Sequence, residues 1–248
     1  MANMGNIGMG VKKEKGLVIF GAGKMAELMA YCMTEHSRKK VDAFTVEHDF
    51  LSSDSFCGKQ LVPFETLRET HRPEEYEIIV AIGYADTNRA RARIIDSCEK
   101  LGYLLASYVS PQAIVPKEFE PKANTIIFEG ATIQPLCSLG RGVIVWSNSC
   151  ICHHTVLEDA VFISPGVTVC GGVHVGARAL IGAGAVVRDF LRVGEDAIVG
   201  AGSVLLRDLP AGALCNGGES QVRPNGARTI VPWPPKTKRI CKALPPDK

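Results

Sequence analysis

The sequence has no apolar run near the roughly 18 residues that a membrane-spanning helix needs, so membrane insertion is not expected. The opening stretch, MANMGNIGMGVKKEK, is polar and basic and lacks the apolar core of a secretory signal. Residues 1–15 therefore read as a disordered leader. Charge imbalance is also missing. With 28 Lys and Arg against 26 Asp and Glu, the net charge of +2 gives no electrostatic reason to expect nucleic acid as a partner. The nine cysteines are odd in number and scattered, so no disulfide framework can be drawn, and a reducing cytoplasm is the simplest setting.

What is present is a repeat. From Ile127 to Leu205 an aliphatic residue returns every sixth position: Ile127, Ile133, Leu139, Val145, Ile151, Leu157, Ile163, Val169, Val175, Ile181, Val187, Val193, Val199 and Leu205. Four residues after each comes a small or apolar one, from Ala131 and Cys137 to Ala197 and Ser203, and neither set holds a charge. A helix would repeat near every 3.6 residues and a simple strand every second one. A period of six predicts a parallel β-helix, whose coils bury their aliphatic positions against one another.

The preceding 95 or so residues differ. GLVIFGAG reads as a strand ending in a glycine turn and KMAELMAYCMTEH as a helix. VDAFTV, QLVPF and EIIVAIGY then alternate with a charged helical stretch before LLASYV. This predicts a small parallel α/β sheet, half-Rossmann-like, over 16–109, which would bind ligands at the carboxyl ends of its strands. Residues 110–126, with three prolines, read as a linker or the start of the coil, 127–210 as the coil and 211–248 as a tail. From Glu219 that tail holds seven Lys or Arg and six Pro, which cannot continue the repeat.

Two stretches stand out chemically. Gly21, Gly23 and Ala26 have the spacing of a dinucleotide-type turn, and Glu47 is a loosely placed acidic partner. The turn either only eases a strand into a helix or presents backbone N–H groups to a phosphate or nucleotide. The domain is too short for a two-half dehydrogenase, so the nucleotide reading is without NAD. The second stretch is Cys150-Ile151-Cys152-His153-His154. Because Ile151 belongs to the inward set, the cysteines flank a core residue and no further ligands stand at zinc spacing, so no metal is expected. His153 and His154 fall where the coil turns outward. They are either solvated surface residues or a general base. The glycines that follow read either as coil corners or as uncovered backbone along which an extended ligand could lie.

The motifs GAGKMAE, VAIGYADTNRAR, LASYVSPQA, IIFEGATIQP, VIVWSNSCICHH and VFISPGVTVCGGVHVG resemble the bacterial sugar acyltransferases of the NeuD/PglD type from about Leu17 to Asn216. This resemblance implies a left-handed coil, a homotrimer with active sites between subunits, and acetyl-CoA as donor with its pantetheine arm along the coil. It places the catalytic histidine at His153, eleven residues before the Ser164-Pro165-Gly166 stretch. The position after that histidine is acidic in many members and is His154 here, which leaves open which of the two is the base. A second family histidine near the thioester falls on Phe162. The backbone N–H near the thioester oxygen falls on Gly171, and further donor contacts fall on Ser164, Ala183 and Arg192. The nucleotide site falls on Gly21, Gly23, Lys24, Met25, Glu47 and Gly83. Met25 replaces a histidine common in the family, and Val46 with Glu47 replaces an acidic pair.

Together these readings predict an N-acetyltransferase acting on the amino group of a nucleotide-linked deoxyamino sugar for surface glycan biosynthesis. O-acetylation of a sugar such as sialic acid is the nearest alternative within enzymes. A non-catalytic trimeric nucleotide-sugar-binding protein is the alternative outside them.

Overall fold

The computed structural model describes residues 14–217. Most of the expected leader, and the basic tail from Gly218 onward, lie outside the described residues. The chain opens with β1 (Gly16–Phe20), α1 (Lys24–Glu35) and β2 (Val41–Val46). There follow β3 (Ser55–Phe56), β4 (Lys59–Pro63), a one-turn α2 (Leu67–Thr70), β5 (Tyr76–Val80), α3 (Arg89–Lys100) and β6 (Leu104–Leu105). The strands form one sheet in the order β3-β4-β2-β1-β5-β6, parallel throughout except for the β3–β4 hairpin. That hairpin turns through Cys57 and Gly58 with φ of 48° and 71°, the positive pair that a tight two-residue turn requires. Strands β1 and β2 are near-continuous apolar runs because both sheet faces are covered.

LLASYV does not stay in one sheet. Leu104–Leu105 pairs with β5, whereas Tyr108–Val109 pairs with Ile126–Ile127 and begins the coil. A coil rung thus already occupies 108–126, of which 110–126 read as a linker or the start of the coil because Pro121 interrupts the six-residue pattern. Val109 and Val115 pack against the coil core in the places the repeat would give them.

The coil is a left-handed parallel β-helix of two-residue strands. Its strands stack in three columns. Ile127, Val145, Ile163, Ile181 and Val199 lie in register in the first, and Ile133, Ile151, Val169, Val187 and Leu205 in the second. Leu139, Leu157, Val175 and Val193 form the third. Every aliphatic position of the repeat is buried, none more than 4% exposed. Of the second inward set, all but the half-buried Cys137 are buried as well. The repeat ends by shortening: Leu214–Cys215 still pairs with Ile198–Val199, so a rung with fewer residues closes the described coil.

Between columns the backbone turns through a left-handed corner every sixth residue, including Leu136, Asn148, His154, Gly166, Gly172, Arg178, Gly184 and Phe190. This divides the glycines of the sequence. Gly166, Gly172 and Gly184 carry the positive φ of a corner. Gly176 and Gly182 instead sit where a Cβ would fall 2.6 and 2.5 Å from the backbone of the next rung. The outer side of the first column packs against the sheet domain: Ile126, Ile144 and Phe162 share one apolar cluster with Ala26, Met29 and Met33 of α1.

Candidate active site

The repeat fixes where the two histidines can be. Ile151 is buried, so the chain leaves the core at Cys152 and turns at His154, whose φ is 60°. Both histidines are exposed. Gln134, one rung back, accepts the His153 backbone N–H with its Oε1 at 2.9 Å and holds the corner. The His153 carbonyl accepts the Gly172 N–H at 2.9 Å, tying the corner to the rung beyond. The imidazole of His153 lies across Gly171: a Cβ there would stand 2.5 Å from His153 Cε1 and 2.8 Å from Nε2. No positive φ demands a glycine at Gly171, so its missing side chain serves the contact and not the backbone.

His153 Nδ1 and His154 Nδ1 are 3.0 Å apart, a hydrogen bond that needs one ring to donate and the other to accept. If His153 donates through Nδ1–H, its Nε2 is left with a free lone pair. His154 then does what an acidic neighbour would do, holding the first ring in a single tautomer. Cys152, next to His153, is not a ready nucleophile. Burial, and then the Cys150 thiol at 3.8 Å, push Cys152 up to about 11, so it stays a thiol at neutral pH. Among the described residues no three His, Cys, Asp or Glu side chains gather as a metal site.

The other coil positions do not join this corner within one chain. Ser164 and Ala183 lie in the corner that follows the first column, on adjacent rungs, with Ser164 buried and Ala183 exposed. Arg192 is exposed on the third column, its backbone N–H held by Asp208 at 2.8 Å. Phe162 is buried under Tyr84, with ring centres 5.3 Å apart, and belongs to the seam between coil and sheet. The fold therefore brings His153, His154 and Gly171 together and leaves the other four away from that corner, Ser164 and Ala183 sharing another.

In the sheet domain the expected nucleotide residues converge. Gly21 to Met25 follow β1, Glu47 follows β2 and Gly83 lies just beyond β5, and β2, β1 and β5 are adjacent parallel strands. Gly21 has a φ of 130°, and Gly23 caps α1 with no side chain over the helix N-terminus. Lys24 extends into solvent beside Glu27 at 2.8 Å, and Met25 is half-buried against the coil seam. Glu47 is held by two hydrogen bonds from Arg93, at 2.6 and 2.8 Å, which lower its carboxyl pKa below the usual range. The Gly83 carbonyl accepts from Arg91 at 2.5 Å.

Arg93 and Arg91 were not singled out in the sequence. Both lie in a charged stretch that reads as a solvated helix. A signal was nevertheless present for Arg91, since Arg91, Ile94, Ile95 and Cys98 recur at helical spacing and all four are buried. Burial pushes the Arg91 guanidinium down to about 9, and it remains charged at neutral pH.

The family model "Bacterial transferase hexapeptide (six repeats)" matches residues 154–189. Solved structures match much more of the chain. The acetyltransferase domain of PglB from Neisseria gonorrhoeae FA1090, in complex with acetyl coenzyme A, is 28% identical, with a TM-score of 0.72 over 81% of this chain and 95% of that one. A mutant of perosamine N-acetyltransferase from Caulobacter crescentus, in complex with CoA and GDP-perosamine, is 26% identical, with a TM-score of 0.75 over 85% of this chain and 97% of that one. WeeI from Acinetobacter baumannii AYE, at 22% identity and a TM-score of 0.65 over 81% of this chain and 96% of that one, is alike in fold. With a sheet-then-coil order, an unbroken hexapeptide repeat and this likeness over nearly the whole described chain, the protein carries a hexapeptide-transferase coil and is similar, from sheet to coil, to CoA-dependent sugar acetyltransferases of the NeuD/PglD type.

Proposed function

We propose that this protein transfers an acetyl group from acetyl-CoA to the amino group of a nucleotide-linked amino sugar, within the biosynthesis of a surface glycan. The observation that carries this reading is the His153 corner: an exposed imidazole, oriented through Nδ1 by His154 and lying against a rung that has no side chain at Gly171. The structural likeness to an N-acetyltransferase solved with CoA and GDP-perosamine supports the donor and the class of acceptor.

In this reading His153 Nε2 takes the proton from the sugar amine as its nitrogen attacks the thioester carbon. The same imidazolium then gives that proton to the departing CoA sulfur, so the base is restored and the products are the amide and free CoA thiol. Among the described residues the Gly171 N–H makes no hydrogen bond, which leaves it available to the carbonyl oxygen as negative charge develops there. No acyl-enzyme is required, since holding donor and amine together supplies most of the entropy the bimolecular step would lose. The nucleotide would sit over the turn from Gly21 to Met25, between Glu47 and Gly83.

The working unit in this reading is a homotrimer whose sites lie between subunits. Ile114, Thr132, Cys150, Thr168, Val186 and Val204 form an uncharged strip down the outer face of the second column. Ile114 and Val204 are 65% and 60% exposed, which favours self-association along that strip. Light scattering gives a mass of three chains if this is right, and of one chain if it is not. The catalytic assignment is tested by two variants at saturating substrates. His153→Ala lowers kcat by roughly 10²–10⁴, and His154→Ala, which removes the orienting ring, by a smaller factor. Full turnover in both overturns the assignment.

A further inference from the structure

Arg91 is fully buried, yet among the described residues no carboxylate neutralises it; each hydrogen-bond partner it has there is a carbonyl oxygen. One group of these lies in the loop after β5: Nη1 reaches the carbonyls of Gly83 at 2.5 Å and Ile82 at 3.4 Å, and the side-chain oxygen of Asn88 at 3.0 Å. The other group lies in the coil. Nε donates to the Gly142 carbonyl at 3.0 Å and Nη2 to the Ala160 carbonyl at 2.7 Å. Gly142 and Ala160 are equivalent corner residues of successive rungs, and Arg178 is the same corner one rung further on. Asn88, itself buried, donates to the Arg178 carbonyl at 2.8 Å, and Arg89 pairs with Asp196 on the rung beyond at 3.0 Å. The start of α3 is thus laid along one edge of the coil, with a side-chain partner on each of four successive rungs.

The loop it anchors is strained. Asp86, Thr87 and Asn88 have φ of 49°, 46° and 65° in succession, and none is glycine. Such a run persists only where surrounding contacts hold it, and Arg91 and Asn88 supply the hydrogen bonds that tie it to the coil, beside the local bond from the Arg89 N–H to the Asp86 carbonyl at 3.0 Å. Tyr84, in the same loop, is 61% exposed and packs edge-on against Phe162 of the coil.

We propose that Arg91 and Asn88 are positioning residues that lock the Gly83–Asn88 loop to three rungs of the coil and so set where the acceptor sits relative to the acetyl donor. The inference rests on the proposed function, because it takes this loop as part of the acceptor site. Its chemistry is that of a fixed ruler. A guanidinium forks between two rungs and the loop, whereas a lysine ammonium offers a single point and cannot span all of them.

The test uses the full chain with Arg91→Lys and with Asn88→Gly. The glycine variant keeps the positive φ at no steric cost and so retains the fold if the arginine variant does not. Steady-state kinetics are measured against acetyl-CoA and a nucleotide-linked amino sugar, with amide hydrogen exchange followed by mass spectrometry. The expected result is a rise of roughly tenfold or more in acceptor KM with a fall in kcat, since small misplacements near reacting atoms are costly. KM for acetyl-CoA stays within about twofold, and exchange quickens in 83–88 while the coil core from 127 to 205 stays protected. Unchanged kinetics together with unchanged loop exchange overturns the proposal, as does an equal loss for both substrates with uniform exchange. If the wild-type protein transfers no acetyl group, the proposed function has failed; the exchange result still decides whether the two residues hold the loop.

Discussion

Gly171→Ala isolates the corner on which the proposed chemistry depends. The new Cβ would lie 2.5 Å from His153 Cε1, 2.8 Å from Nε2 and 3.1 Å from Nδ1, closer than carbon and nitrogen can approach without one of them moving. The backbone at Gly171 has no positive φ, so the added methyl brings no conformational strain. Gly171 is held within the stacked rungs, while His153 is an exposed side chain restrained by the hydrogen bond to His154, so the imidazole gives way and not the coil. Turning a side chain about 30° from its preferred rotamer costs on the order of 0.5–1.5 kcal/mol, so the melting temperature falls by only a few degrees. A displacement of about 1 Å at a reacting group is worth on the order of 10² in rate. Release of CoA thiol, followed at saturating acceptor and donor, should therefore show kcat reduced about a hundredfold with both KM values nearly unchanged. Gly184→Ala is the control: its φ is 67° and nothing lies near the added Cβ, so it strains the backbone without touching His153. Wild-type kcat in Gly171→Ala would refute the reasoning, as would a loss fully accounted for by unfolding.

Two further predictions concern stability. Ile163, fully buried in the middle of the first column, should lose about 2–5 kcal/mol when replaced by alanine, whereas Thr168→Ala, on the outer side of the next column, should lose less than about 1 kcal/mol; equal losses in denaturant titrations would mean that the coil core is not packed as described. Burial raises the Cys98 thiol from 9.0 to about 12. The unfolded chain therefore releases this proton first, and the stability tied to the neutral thiol is present below pH 9 and fades as pH rises toward 12. The stability difference between wild type and Cys98→Ala should shrink over that interval, and a constant difference from pH 8 to 11 would contradict the assigned burial.

The coil was legible because its signal is periodic and long: a buried aliphatic residue at every sixth place leaves no other regular structure open. The same phase put His153 and His154 on an outward corner, where both are exposed. Residues 110–126 read as a linker or the start of the coil because Pro121 takes an aliphatic place of the repeat, although Val109 and Val115 keep theirs and the backbone pairing continues through Tyr108–Val109. LLASYV reads as one strand, and only three-dimensional pairing reveals that it serves two sheets. Arg91 shows a different limit. Sequence patterns treat an arginine among arginines as solvated, yet carbonyls at the edge of a packed coil need donors as much as a carboxylate needs a cation. The contact between Gly171 and His153 was also beyond reach, since glycine at a corner and glycine under a ring look alike in one dimension.

The most direct test of the account is mass spectrometry of the products formed from acetyl-CoA and a panel of nucleotide-linked amino sugars, with matching free sugars beside them. The account predicts one nucleotide-linked sugar made heavier by a single acetyl group on nitrogen, formed only when the enzyme and acetyl-CoA are both present and lost in His153→Ala. Acetylation on oxygen, equal turnover of a free sugar, or no acetylated product from any member of the panel would contradict it.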